Sequence, residues 1–151
     1  MDPLEPRLEI WRGLLRGQRA MMLRLITRLK RDFDLTTAQY ETLLSLHEVG
    51  GSLTAAQLSQ VLLYSSGSTT NLVVRLEERA LVTRTRDAED GRVVIIALTA
   101  EGEELIEAAT TAHISDIREA FAPLIPDEDV APVLAFARRL SAAENVTSQP
   151  G

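Results

Sequence analysis

The stretch Tyr64–Gly102, YSSGSTTNLVVRLEERALVTRTRDAEDGRVVIIALTAEG, decides how this chain is read. Small hydroxyl residues open a helical pattern over Ser66–Arg79. Two runs rich in β-branched residues follow, Leu81–Arg86 and Arg92–Leu98. Asp87-Ala88-Glu89-Asp90-Gly91 lies between them with the composition of a turn. Thr99 is placed to cap another helix, over about Ala100–Phe121. The order is helix, two-stranded ribbon, helix.

Upstream, two short helices are expected close together. Thr36-Thr37-Ala38-Gln39 and Thr54-Ala55-Ala56-Gln57 both have the form of a capping box, in which a threonine and a glutamine three residues on satisfy each other's backbone amides. The first box opens a helix through Tyr40, Leu43, Leu44 and Leu46, ended by Gly50-Gly51. The second opens a helix through Leu58, Val61 and Leu62. With Ser66–Arg79 this is a helix-turn-helix spacing. Earlier still, Leu4–Arg31 repeats apolar residues at the period of one helix face: Ile10, Leu14, Leu15, Met21, Met22, Leu25, Ile26 and Leu29. Pro123 and Pro126 interrupt the chain after Phe121. A last helix is expected over Asp127–Ala142, and the polar tail 144–151 is expected to be disordered. The fold expected is mainly α with a small β-ribbon.

Bulk composition narrows the classes. The 151 residues suit one subunit, and a hydrophobic content of 45% supports a core. With six aromatic residues, that core must be aliphatic. The absence of cysteine excludes disulfides, thiolate metal sites and thiol redox sensing by this chain. Neither a membrane-spanning run nor a leader pattern is visible, so a cytoplasmic protein is expected. The net charge of −6 weighs against nucleic acid, but its distribution is uneven. Seven basic and no acidic residues lie between Ile10 and Arg31; nine acidic residues and one basic lie between Glu101 and Asp129. These segments either attract each other or are solvated helix faces.

Within Ser66–Arg79, a buried stripe is expected at Thr69, Leu72, Val73, Leu76 and Ala80. The opposite face carries Gly67, Thr70, Asn71, Val74 and Glu78, bordered by Ser66, Ser68 and Arg75. A helix must approach base edges closely to read them in the major groove, and small side chains permit that approach. Asn71 suits an adenine edge and Val74 a thymine methyl. In the ribbon, Arg84, Arg86 and Arg92 flank the turn. A guanidinium at a flexible turn suits a narrow minor groove, and Asp90 is placed to hold Arg92. The plain alternative is a capped surface helix beside an ordinary hairpin.

The pieces LTTAQYETLLSL, AAQLSQVL, SSGSTTN, VRLEERALV, DAEDGR and LTAEG, in that order, resemble the multiple-antibiotic-resistance regulator (MarR) family of winged-helix repressors. The resemblance runs from Trp11 to about Leu140. It implies a winged helix-turn-helix over 35–99, with dimerisation helices at 4–31 and 100–142. It implies that Ser66, Gly67, Ser68, Thr70 and Asn71 face DNA and that Arg92, in the wing motif Asp90-Gly91-Arg92, enters the minor groove. The chain departs from the family pattern. Leu72 stands where an arginine is usual, Val74 for an aspartate, Ala80 for a glycine, Ala88 for a proline and Gly91 for a second wing arginine.

The family is also homodimeric, which agrees with the apolar length of the terminal helices, and a pseudo-palindromic operator follows. Many relatives respond to small aromatic or phenolic anions. Trp11, Arg12, Arg16, Arg19, Tyr40, His47 and His113 are candidate linings by residue type, and Trp11 among arginines is similar to urate-responsive relatives. No cofactor is expected and no metal ligand set: His47 and His113 are too far apart for a zinc motif. Two other classes stand beside the regulator. An enzyme finds little support, with no nucleophile elbow or phosphate loop, and Glu101, Glu103, Glu104 and Glu107 read as a solvated face. A winged-helix module that binds protein rather than DNA is favoured by the acidic balance, Leu72 and Gly91.

Overall fold

A computed structural model of the chain describes residues 4–147, with side chains described to residue 143. The described residues divide into two compact units, 4–115 and 116–147.

The first unit begins with α1 (Glu5–Phe33), slightly longer than its apolar repeat predicts. Its last turn carries Lys30 and Arg31, which suit the negative helix end. Leu25 and Leu29 are its buried positions, whereas Ile10, Trp11, Leu14, Leu15, Leu23 and Ile26 are exposed. Both capping boxes form. Thr36 Oγ1 accepts from the Gln39 amide at 3.1 Å and Gln39 Oε1 from the Thr36 amide at 3.0 Å, opening α2 (Thr37–Glu48). Thr54 and Gln57 repeat those bonds at the same lengths and open α3 (Ala55–Leu62). α4 (Ser66–Glu78) follows a tight turn in which Leu63 takes a left-handed conformation, φ 57°.

The ribbon is part of a larger sheet than the sequence predicts. Besides β2 (Val82–Arg86) and β3 (Val94–Leu98), a short strand β1 (Ser52–Thr54) pairs antiparallel with β3, giving the order β1-β3-β2. Leu53 lies opposite Ile96, and Ile96 opposite Arg84 on the other side. Three residues carry too little periodicity to reveal β1; its pairing partner lies some 40 residues further along the chain. Arg92 and Val93, expected at the start of the second strand, instead belong to the closed turn.

The core is largely aliphatic, as composition requires, with Tyr40 buried among the leucines. Leu29, Leu43, Leu46, Leu58, Leu76 and Ile106 are fully buried, each side chain contributing roughly 2 kcal/mol by removal from water. They come from α1, α2, α3, α4 and α5 (Ala100–Ala120), so one cluster fixes the helix-turn-helix to the start of α5. Arg79 adds a polar tie, donating to the carbonyls of Asp34 and Phe33 at 2.7 and 3.3 Å, which the end of α1 leaves without helical partners. Thr99 does cap α5, accepting from the Gly102 amide at 3.0 Å while donating to the Ala80 carbonyl at 2.7 Å.

The second unit holds the end of α5, a 3-10 turn at Ala122–Leu124 where Pro123 breaks the helix, and α6 (Asp127–Thr147). α6 begins with Asp127, Glu128 and Asp129, favourable at a positive helix end, and passes through Pro132. Val130, Val133, Leu134 and Leu140 are exposed. The helix runs to Thr147, past the expected end at Ala142; Ala142, Ala143 and Glu144 are good helix formers. Residues 148–151 lie outside the described residues. Among the described residues, no helix is long and apolar enough to cross a membrane.

Candidate nucleic-acid interface

α4 owes its position to two hydroxyl groups. Ser59 on α3 donates to Thr69 Oγ1 at 2.9 Å, and Thr69 donates on to the Ser65 carbonyl at 3.0 Å. Thr69 is buried with Val73 and Leu76, so the inner face of α4 is locked against α3 and the sheet. Leu72 is half-buried. Ala80, expected in this stripe, is instead exposed: it lies beyond the helix end with φ 57°, where the chain turns toward β2.

The outer face is small and accessible. Ser66, Gly67, Ser68, Thr70, Asn71 and Arg75 are all exposed. Ser65 caps the helix, its Oγ accepting from the Ser68 amide at 3.2 Å and donating to Ser68 Oγ at 3.0 Å. Thr70 donates to the Ser66 carbonyl at 2.8 Å, which leaves its hydroxyl oxygen able to accept. The earlier first-turn amides, those of Ser66 and Gly67, have no acceptor within the helix and suit an anion. Val74 is half-buried rather than fully outward, so its reach toward a thymine methyl is shorter than the helical wheel suggests.

Two depressions flank α4. One, of about 230 Å³, is lined by Ser59, Ser66, Thr69, Thr70, Val73 and Arg84 among others. The second, of about 410 Å³, is lined by Ala38, Tyr64, Ser68, Asn71, Leu72 and Arg75. Tyr64 was not foreseen from sequence. Its hydroxyl donates to Glu41 at 3.4 Å, and desolvation, with Glu41 nearby, raises its pKa.

The turn of the wing closes on itself. Asp87 Oδ1 accepts from the amides of Glu89 and Asp90 at 2.8 and 3.4 Å, and the Asp87 amide donates to the Val93 carbonyl at 2.9 Å. Asp90 holds Arg92 as expected: Arg92 Nε donates to Oδ1 at 3.2 Å, Nη2 to Oδ2 at 3.4 Å, and the Arg92 amide to Oδ1 at 3.1 Å. Arg92 lowers the pKa of the Asp90 carboxyl, chiefly through that side-chain bond. The Arg92 side chain is nonetheless 92% exposed, so the guanidinium is oriented without being covered. Arg86 donates to the Gly91 carbonyl at 2.7 Å and braces the same turn. Arg84 is differently employed, its guanidinium bound to Glu77 of α4. Glu77 is a residue that sequence reasoning missed; a carboxylate on α4 seven residues before an arginine has no local motif.

The candidate ligand linings are scattered. Tyr40 is buried, 3.5 Å from Thr110 Oγ1, with its ring edge-on to His113 at 6.3 Å between centroids. The Nδ1 atom of His113 is buried without a hydrogen-bond partner. His47 instead pairs with Glu103 at 2.6 Å. Trp11, Arg12, Arg16 and Arg19 are exposed on α1, Arg12 lying 3.5 Å from Glu5. Trp11 precedes the end of α1 by 22 residues, roughly 33 Å along its axis. Within one chain the structure therefore joins Tyr40 to His113 and does not gather the seven into one cavity.

This arrangement of a capped α4 beside an arginine-bearing wing has known counterparts. A family model described as MarR family matches residues 33–93. The helix-turn-helix and ribbon of this chain therefore carry the MarR family domain. The HTH-type transcriptional regulator YsmB of Bacillus subtilis is 33% identical over 99 residues, 66% of each protein, so a third of that relative lies outside the match. AbsC, a MarR family transcriptional regulator from Streptomyces coelicolor, is 25% identical with a TM-score of 0.80, covering 96% of this chain and 97% of AbsC. Sco3205, a MarR family regulator from the same organism solved in complex with DNA, shares the fold at 22% identity and a TM-score of 0.76, covering 90% of this chain and 86% of its own. The fold is accordingly a MarR winged helix, and these relatives are transcriptional regulators rather than enzymes.

Proposed function

We propose that this chain, with its MarR family domain, is a sequence-specific DNA-binding repressor that acts in the cytoplasm as a homodimer. The observation that carries the reading is the pairing of two surfaces: an α4 face of Ser66, Gly67, Ser68, Thr70 and Asn71 with nothing bulky in its first two turns, and a wing where Asp90 presents an exposed Arg92. The first fits a major groove and the second a minor groove. Arg75, and Arg86 at the turn, add charge for phosphates. That Sco3205 shares the fold and was solved on DNA supports the reading.

The dimer is supported by the apolar side chains that each unit leaves uncovered. Ile10, Trp11, Leu14 and Leu15 of α1 and Val130, Val133, Leu134 and Leu140 of α6 are all exposed, more than a lone subunit of this size should offer water. A two-fold pair would set two copies of α4 about one DNA turn apart on a pseudo-palindromic operator. Sedimentation at micromolar concentration should give twice the 16.6 kDa of one chain.

Release by a small aromatic or phenolic anion completes the proposal. Its support is the buried, unpartnered Nδ1 of His113 beside the Tyr40 ring, a polar atom with an aromatic wall. Trp11, Arg12, Arg16 and Arg19 can take part only if a partner subunit brings them there. Selection of bound fragments from random duplex DNA by the purified protein tests the function: a recovered palindrome supports it. Recovery of no consensus favours instead a winged-helix module for a protein partner, the reading to which Leu72, Gly91 and the charge of −6 lean.

A further inference from the structure

His47 lies in the last turn of α2, and Glu103 and Glu107 lie one turn apart on one face of α5. Nδ1 of His47 is 2.6 Å from Oε1 of Glu103, and one donor atom from each of the three residues lies within 4.8 Å of the others. A dication bound at about 2.0–2.2 Å needs donors roughly 3.3 Å apart, so modest side-chain rotation suffices. We infer that His47, Glu103 and Glu107 form a binding site for a first-row divalent transition metal, of which Zn²⁺ is the representative.

A simple ion pair does not account for the trio. His47 needs one carboxylate, and Glu103 supplies it. Glu107 then places a like charge at i+4 from Glu103, which is unfavourable on a helix unless a cation lies between. The carbonyl end of α2, where His47 sits, adds partial negative charge to the same spot. Glu107 is exposed and Glu103 half-exposed, so an ion reaches them without unfolding. One imidazole and two carboxylates suit Zn²⁺, Mn²⁺, Co²⁺ or Ni²⁺ better than Cu⁺ or Mg²⁺. Three protein ligands leave a position for water. The ion would clip α2 to the first turns of α5, directly after the wing strand β3. The sequence conceals this because His47 and Glu103 stand 56 residues apart.

The test is calorimetric titration of the full chain with Zn²⁺, with Mg²⁺ as comparator, on the native protein, His47→Ala and Glu107→Gln. The native protein should bind one Zn²⁺ per chain with micromolar affinity and melt roughly 5–10 °C higher at a hundredfold excess over Kd. Glu107→Gln, at an exposed position, should keep or slightly raise the metal-free melting temperature and weaken Zn²⁺ at least about tenfold. His47→Ala should abolish binding. Absence of Zn²⁺ binding at about 100 μM, equal response to Mg²⁺, or binding that survives Glu107→Gln unchanged (an ion held at His113, for instance) would each overturn the site.

Discussion

Glu77 of α4 and Arg84 of β2 are joined by three hydrogen bonds: the carboxylate accepts from the Arg84 amide at 3.1 Å, from Nε at 3.2 Å and from Nη2 at 2.9 Å. The side-chain bond from Arg84 lowers the Glu77 pKa, and the same bond raises that of Arg84. The pair therefore ties α4 to the base of the ribbon. Glu77→Gln should leave secondary structure intact, speed hydrogen exchange at the Arg84 amide and weaken DNA binding several-fold. Unchanged exchange and affinity would make the pair ornamental.

Ala80 stands with φ 57°, a conformation that costs a residue with a side chain about 1–2 kcal/mol. Its carbonyl is held by Thr99, so the chain cannot relax away. Ala80→Gly should stabilise by about 1 kcal/mol after the entropy of glycine is counted, raising Tm by roughly 2–4 °C. A fall in Tm would mean that the turn owes its shape to something other than backbone preference.

Gly102 is the opposite case. A Cβ there would stand 2.0 Å from the Leu81 carbonyl oxygen and 3.2 Å from the Leu98 side chain. The backbone at Leu81 is fixed by the Thr99 amide and by the core, so it has nowhere to move. Gly102→Ala should cost about 2–3 kcal/mol, read as a lower urea midpoint at unchanged slope. A neutral outcome would show that the α5–β2 approach is looser than drawn.

Much of this was legible beforehand where the determinants are local. Thr36-Gln39, Thr54-Gln57 and Thr99 mark helix starts within a few residues, and all three act as caps. Asp90 and Arg92 are neighbours, so their pairing could be anticipated. What stayed hidden depends on distant partners. β1 exists because Leu53 finds Ile96, Glu77 matters because β2 folds back on α4, and the short run Ser52–Thr54 announces neither. The ligand candidates divide for the same reason: residue type placed Trp11 with Tyr40, and the length of α1 parts them within one chain.

Acid should weaken the fold in a definite window. Arg31, through its side-chain hydrogen bond, with Arg28 also contributing, holds the Asp32 carboxyl at about 2 against an ordinary 3.8. A lowered folded-state pKa favours folding above about 3.8, and that contribution is lost as pH falls toward 2. Asp32→Asn should therefore reduce the drop in melting temperature between pH 4 and pH 2, by a small amount because the pair is at the surface. An identical acid profile in the variant would remove Asp32 from the account.

The central claim is tested most directly by fluorescence-anisotropy titration of a selected duplex against a scrambled one at two salt concentrations, with native protein and Arg92→Ala. The account predicts a preference for the selected duplex of at least about a thousandfold, a steep loss with salt, and a penalty on the order of 1–3 kcal/mol for Arg92→Ala. Equal binding of both duplexes, or none at moderate salt, would contradict it.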